Sequence, residues 1–271
     1  MARLRSSVAD FESKKGETMM LTLRGGLGNQ IIQIAYMLRQ SSSPVINTYA
    51  VRLRSQLKDL SDILYTHNAA VHYLFGLIRK GVSFVRGRAT DIRIGGVHDG
   101  YFQYGDITEL IPESLASHLT GQIMLDPMIG EKIDIAVHIR GGDYFTQSAS
   151  NIYAICTADY YVRALELCRK RLGKETLNVY IVTNDREYAK SLLAPLEMNS
   201  GFRFIEYQGD EWGDFSLIYR ADAAIIPNST FSMTARMLRA DGMTFAPKQW
   251  FLESSHLTAP YCRQFTYLDI E

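Results

Sequence analysis

Four clusters in this 271-residue chain bring together residue types that could hold a phosphorylated ligand. Asn228, Ser229, Thr230 and Ser232 crowd around Phe231, just after the apolar run Ala223 to Ile226 and its terminator Pro227. These residue types start helices and present hydroxyls and backbone N–H groups to an anion. Arg140, followed by Gly141, Gly142 and Asp143, offers a guanidinium on a loop whose glycines keep the backbone clear of a ligand. Such a group suits a diphosphate through charge-assisted, bidentate hydrogen bonds. The alternative is a local Arg140–Asp143 ion pair that braces the loop. Gly25, Gly26 and Gly28 precede Asn29 and Gln30, where three glycines in four positions let a ligand approach a helix start. Asp185, after Thr183 and Asn184, can read ribose or base donors, or can cap the helix that follows. His138 lies in a strand pattern and reads as a core histidine.

The elements that must position these clusters follow from periodicity. Met20 to Leu23 is a strand, the glycines a turn, and Ile31 to Leu38 a helix. Residues 44–51 read as a second strand, Leu53 to Tyr65 as a helix, and Val97 to Tyr104 as a strand or its end. Leu110 to Leu119 is a helix with Pro112 near its start. Pro127 to Gly130 is a hinge. After it come strands at Ile133 to Ile139, Val179 to Thr183, Phe202 to Ile205, Ala223 to Ile226 and Met243 to Ala246. Helices at Asp159 to Leu172, Arg186 to Leu196 and Asp214 to Arg220 alternate with them. That alternation predicts an α/β fold with parallel sheets covered by helices on both faces.

Composition narrows the partners. Lys plus Arg and Asp plus Glu both number 29, so no nucleic-acid partner is indicated. Cys156, Cys168 and Cys262 lack C-x-x-C spacing and read as free thiols in a reducing compartment, which predicts a cytoplasmic protein. No apolar run approaches the roughly 18 residues that cross a bilayer. Residues 1–18 are polar and read as a disordered extension. Residues 71–88 mix apolar and basic side chains; they read as a core-facing helix with a solvated basic side, or as a peripheral contact with an anionic membrane. There is no D-x-D, H-E-x-x-H or G-x-S-x-G, so a leaving diphosphate would be neutralised by arginine, amides and hydroxyls rather than by a metal.

In order, the clusters resemble the α-1,2-fucosyltransferases, glycosyltransferase family 11. The resemblance rests on GGLGNQIIQIA at Gly25 to Ala35, GYFQ at Gly100 to Gln103 and HIRGGDY at His138 to Tyr144. It continues through Tyr160-Tyr161, VTND at Val182 to Asp185, the D-x-x-L…II-x-NSTFS run ending at Ser232, and APKQWF at Ala246 to Phe251. It implies a GT-B-like fold of two Rossmann-like domains facing a cleft, 19–127 on the acceptor side and 128–271 on the donor side. It also implies inverting transfer from GDP-fucose, without a cofactor or metal, to an oligosaccharide or lipid-linked glycan. Arg140 would stabilise the departing GDP. Ser229, Thr230 and Ser232, with Asn228, Phe231 and His138 around them, would line the same donor site. Asp185 would help seat guanosine. Asn29, with Gly25, Gly26, Gly28 and Gln30, would face the sugar and acceptor. Asp143 is the candidate base, with the brace as its alternative. The family usually carries a second arginine where this chain has Gly141, and an aspartate pair where it has Asn184-Asp185. Met233-Thr234 replaces the usual aromatic pair. Arginine at position 141 is expected to raise donor affinity unless it clashes. Use of another GDP-sugar, or a binding protein without turnover, are the competing functions.

Overall fold

The computed structural model describes residues 19–41, 45–47, 52–60, 63–66, 69–70, 73–74, 76–77, 91–94, 97–125, 132–196, 201–239, 241–255 and 257–270. The extension 1–18, the hinge at Pro127 to Gly130 and most of 71–88 lie outside those residues. Contacts divide the chain into two units, Met1–His118 and Leu119–Glu271.

In the first unit, strands β1 (Met20–Thr22), β2 (Val45–Asn47), β3 (Leu64–Thr66), β4 (Ile92–Ile94) and β5 (Val97–Asp99) form one sheet in the order β3-β2-β1-β5-β4. All neighbours are parallel except β4 with β5. Leu21 of β1 lies opposite Ile46 on one side and His98 on the other. Helix α1 (Leu27–Gln40) packs back on β1, burying Ile31, Ile32, Ile34 and Met37 completely. This apolar face at helical spacing gives the unit its core.

The helix expected over Leu53 to Tyr65 is instead a single 3-10 turn, Ser55–Leu57, followed by β3. The reason is tertiary. The buried amide of Gln30 accepts the N–H of Arg54 (3.1 Å) and donates to the carbonyl of Arg52 (3.0 Å). That leaves Arg54 extended at φ −66, ψ 142.

Helix α2 (Glu113–Met124) runs through the division point. The second unit contains β6 (Ile135–Ile139), α3 (Gln147–Ser150), α4 (Ala158–Leu172), β7 (Leu177–Thr183), α5 (Arg186–Leu193), β8 (Phe202–Glu206), α6 (Glu211–Arg220), β9 (Ala223–Ile225), α7 (Thr230–Met237), β10 (Met243–Pro247) and β11 (Thr266–Leu268). Its sheet is parallel throughout, in the order β11-β10-β9-β6-β7-β8. All five residues of β6 are buried, as a strand covered on both faces must be. The caps are written locally. Thr157 starts α4, Asp185 starts α5 and Asp210 starts α6, each accepting a first-turn N–H, and Gly173 ends α4 at φ 65. The Asp210 cap is why α6 begins at Glu211, three residues before the apolar spacing suggests.

The chain steps outward from β6 through β7 to β8, then returns to the other side of β6 with β9, β10 and β11. The strand order therefore reverses between β6 and β9. In an open parallel sheet the ligand crevice forms at that reversal, beyond the carboxyl ends of the strands. The two loops that leave there are those at Arg140 and Asn228 to Ser232. The α/β class with parallel sheets is as the sequence indicates.

Candidate active site

Arg140 is the first residue past β6. Its Nη2 donates to Asp143 Oδ2 at 2.6 Å, and its guanidinium carbon lies 5.5 Å from the Tyr144 ring centroid. Its Nε is buried with no hydrogen-bond partner. The side chain remains 31% exposed, so a cation with spare donor capacity faces solvent at the strand-order reversal. Asp143 is engaged on both oxygens, because Oδ1 accepts from Asn184 Nδ2 at 3.1 Å. These are the contacts of the brace, made by a carboxylate whose side chain is still 56% exposed.

The next loop holds this one from below. Asn184 exchanges hydrogen bonds with the Gly141 peptide groups, accepting N–H at 3.0 Å and donating to the carbonyl at 3.3 Å. Asp185 Oδ2 accepts the Gly142 N–H at 3.1 Å while its Oδ1 caps α5 through Tyr188 N at 3.1 Å. Asp185 thus makes the helix cap that the sequence offers as one of its two readings. Gly142 has φ 56, in the left-handed region that favours glycine.

A Cβ on Gly141 would lie 2.9 Å from each of Asp185 Cβ, Asp185 Oδ2 and Tyr188 Cδ1. At that distance the Asp185 and Tyr188 side chains must move to admit a residue at 141. Gly141→Arg is therefore expected to raise the KM for the donor at least roughly tenfold and to lower stability by about 1–3 kcal/mol, the usual range for overpacking. Donor kinetics with a thermal melt check this; tighter donor binding at unchanged Tm would contradict it.

His138, two residues before Arg140, is 4% exposed. Its Nδ1 lies 2.8 Å from Ser232 Oγ, and its ring meets Phe231 edge-on at 5.7 Å. Burial, helped by Arg140, pulls its pKa down to about 3, so the imidazole is neutral. His138 therefore ties the end of β6 to the start of α7 and is closed to a ligand. Asn228 is likewise structural. Its Nδ2 donates to the carbonyls of Ala154 (2.6 Å) and Trp250 (2.7 Å), and its own carbonyl accepts from Tyr144 OH at 2.8 Å. Ser229 is the N-cap of α7 but makes no side-chain cap bond. Phe231 also packs edge-on against Phe215 at 5.5 Å. Tyr160 OH donates to the carbonyl of Ile226 at 2.6 Å, and Tyr161 OH to that of His138 at 3.3 Å, so the paired tyrosines buttress both site loops from the core.

One feature of this face left no clear signal in the sequence. A cavity of about 530 Å³ opens beyond β7 and β8, lined by Thr183, Arg186, Lys190, Phe204, Tyr207 and Asp214 among others. Burial first, then the nearby Asp210 and Glu211 carboxylates, raises the Asp214 pKa to about 7. The D-x-x-L motif marked this residue without revealing that it borders a cavity.

In the first unit the glycine turn leaves β1. Gly25 has φ 72, and the Asn29 side chain lies where a Cβ there would sit. Gly26 caps α1, and Gly28 is buried within it. Gln30 Nε2 also donates to the Gly25 carbonyl at 3.2 Å, so with its bonds to 52–54 it clamps the turn rather than facing a ligand. Beside the turn, Arg24 donates from Nε and Nη2 to fully buried Asp99, Nη2 to Oδ2 at 2.6 Å. Among the described residues no cluster of three or more His, Cys, Asp or Glu could hold a metal ion, and no helix is long and apolar enough to cross a membrane. All three cysteines are buried and free.

The reversal point of this parallel sheet, with its arginine loop and hydroxyl-rich helix start, is where open α/β sheets place a ligand crevice. The chain belongs to glycosyl transferase family 11, whose model matches residues 97–269. No curated protein matches it. Among solved structures it is similar to a glycosyl transferase family 9 protein from Veillonella parvula (10% identity, TM-score 0.46, 94% of this chain and 87% of that one). It is also similar to the E. coli heptosyltransferase WaaC with ADP (8%, 0.47, 93% of each chain). A mutant of Arabidopsis thaliana FUT1 in complex with GDP is a third such structure (11%, 0.48, 88% of this chain and 71% of that one). As a member of family 11, the chain is a glycosyltransferase.

Proposed function

We propose that this glycosyltransferase moves L-fucose from GDP-β-L-fucose to the 2-hydroxyl of a galactose-type acceptor, with inversion and without a metal, in bacterial surface-glycan (O-antigen) synthesis. The observation that carries the reading is Arg140, half-satisfied and solvent-facing at the strand-order reversal of a family 11 chain. The acceptor oxygen attacks the anomeric carbon, the bond from that carbon to the β-phosphate oxygen breaks, and its electron pair leaves with GDP. Arg140 meets the charge that develops on the phosphate, assisted by the start of α7. Asp143 is occupied by Arg140 and Asn184, which suits a late, oxocarbenium-like attack in which the acceptor proton passes to the departing GDP phosphate or to solvent after most of the old bond has broken. Acceptor binding falls to the glycine turn of the first unit, at Asn29.

The cavity beside Asp214 supports guanosine as the nucleoside. Guanine presents N1–H and the 2-amino group side by side, two donors that one carboxylate accepts, whereas adenine presents an acceptor at N1. Titration calorimetry with GDP, ADP and UDP tests this: GDP is expected to bind tightest, and equal or tighter ADP binding would contradict it. Only ionised Asp214 accepts both donors, so GDP affinity is expected to rise as pH climbs through about 7. Asp214→Asn should flatten that step and weaken binding by about ten- to a hundredfold, the scale of a charged hydrogen bond. The stability of the unliganded protein has the opposite sign. A carboxyl whose folded pKa is raised loses stability as pH rises from the unfolded range through about 7. Asp214→Asn should therefore melt above wild type at pH 8 and match it near pH 4.

A further inference from the structure

Asn184 touches the Arg140 loop at three points. Its Nδ2 donates to the Gly141 carbonyl (3.3 Å) and to Asp143 Oδ1 (3.1 Å), and its Oδ1 accepts the Gly141 N–H (3.0 Å). The amide thus pairs with both peptide groups of one residue while holding the carboxylate that holds Arg140. It is carried on the loop directly after β7, the strand paired with β6, so the clasp is anchored to the sheet.

With Arg140 read as the donor's diphosphate contact, we propose that Asn184 is a positioning residue: its amide fixes the Gly141–Asp143 loop and, through Asp143, the aim of the Arg140 guanidinium. An amide is required. A carboxylate at position 184 would replace Nδ2 with an oxygen facing the Gly141 carbonyl and the Asp143 carboxylate. A bare residue 141 is required as well, since a Cβ there would meet Asp185 and Tyr188 at 2.9 Å. Gly141 and Asn184 thus form one contact unit. The charged or titratable groups around the clasp are Arg140, Asp143, Asp185 and the Tyr188 phenol.

The test is kcat/KM for GDP-fucose from pH 5.5 to 8 in wild type, Asn184→Asp and Asn184→Ala, with each variant divided by wild type at the same pH. In Asn184→Asp a proton shared with Asp143 can stand in for the Nδ2–H, because two carboxylates at this separation cannot both ionise freely. The ratio is expected to be within about threefold of one at pH 5.5 and to fall at least about tenfold by pH 8. Asn184→Ala, which keeps no donor at any pH, is expected to lose at least about tenfold throughout, with acceptor KM unchanged. A flat ratio for Asn184→Asp together with near wild-type Asn184→Ala would overturn the proposal. Carbon-13 carboxyl titration of Asn184→Asp reads the clasp without turnover. One carboxyl of the 143/184 pair should titrate well above the ordinary carboxylate range, and two ordinary titrations would overturn the clasp even if GDP-fucose is the donor. A raised titration in a protein that does not use GDP-fucose would support the clasp and count against the donor assignment alone.

Discussion

Arg140→Ala is expected to cut kcat at least ~10²-fold while leaving the fold intact, the scale of removing one preorganised charge-stabilising donor. The fold does not depend on this side chain. Its contacts are Asp143 at 2.6 Å and the Tyr144 ring, both on the same loop, and its Nε has no partner. What depends on it is the leaving-group charge. Position 141, where the family usually supplies a second arginine, is a glycine closed in by Asp185 and Tyr188. Arg140→Lys should recover only part of the rate, because an ammonium keeps the charge but lacks the planar fork. Single-turnover kinetics alongside a thermal melt check the pair. Near wild-type turnover by folded Arg140→Ala would remove the leaving-group role.

The largest stability effect is expected at Arg236, a residue that sequence patterns do not single out. It is fully buried, yet all three of its guanidinium nitrogens donate. Nε donates to Thr244 Oγ1 (2.9 Å), Nη1 to the carbonyls of Ile218 (3.0 Å), Tyr219 (3.2 Å) and Ala221 (2.9 Å), and Nη2 to that of Met243 (3.1 Å). Three of those carbonyls end or follow α6, where a helix leaves its last acceptors unpaired and where a cation is favoured. Burial lowers the Arg236 pKa to about 9, which still leaves it charged at neutral pH. Arg236→Ala would remove a large buried side chain and take a donor from each of those acceptors, of which the Tyr219 carbonyl keeps Arg239 Nη1 at 3.2 Å. A loss of about 3–5 kcal/mol is expected, the range for large-to-small core changes, with unpaired carbonyls pushing toward the upper end. In a unit of this size that corresponds to a Tm drop of roughly 6–20 °C. Arg236→Lys should not rescue it, because one ammonium cannot span acceptors on α6 and β10 at once. A drop of under about 1 kcal/mol by denaturant melt would show that the site relaxes or takes in water.

The second unit is legible in the sequence because its signals are local. Strands buried on both faces, such as Ile135–Ile139, read as apolar runs interrupted only by His138, and the helices between them carry their own caps at Thr157, Asp185 and Asp210. The first unit is harder to read. Its strands are only three residues long. The misread helix over Leu53 to Tyr65 was decided by Gln30, more than twenty positions earlier. The site shows the same division. Arg140 with its glycines, and the hydroxyls before α7, are visible because their residue types sit where strands must end. What each side chain touches is not visible. By position Asp143 and Asp185 read as base and nucleoside reader or as brace and cap, and their contacts with Arg140, Asn184, Gly142 and Tyr188 appear only in the structure. The D-x-x-L motif contains Asp214, but the cavity wall it forms is assembled from β7, α5 and β8 as well.

The central claim is tested most directly by offering the purified protein a panel of GDP-sugars with galactose-terminated acceptors, in EDTA, and reading the products by mass. Transfer of a single deoxyhexose from GDP-fucose alone, linked α-1,2, is the predicted result. Transfer from a different GDP-sugar, dependence on an added divalent metal, or GDP binding without any turnover would contradict it.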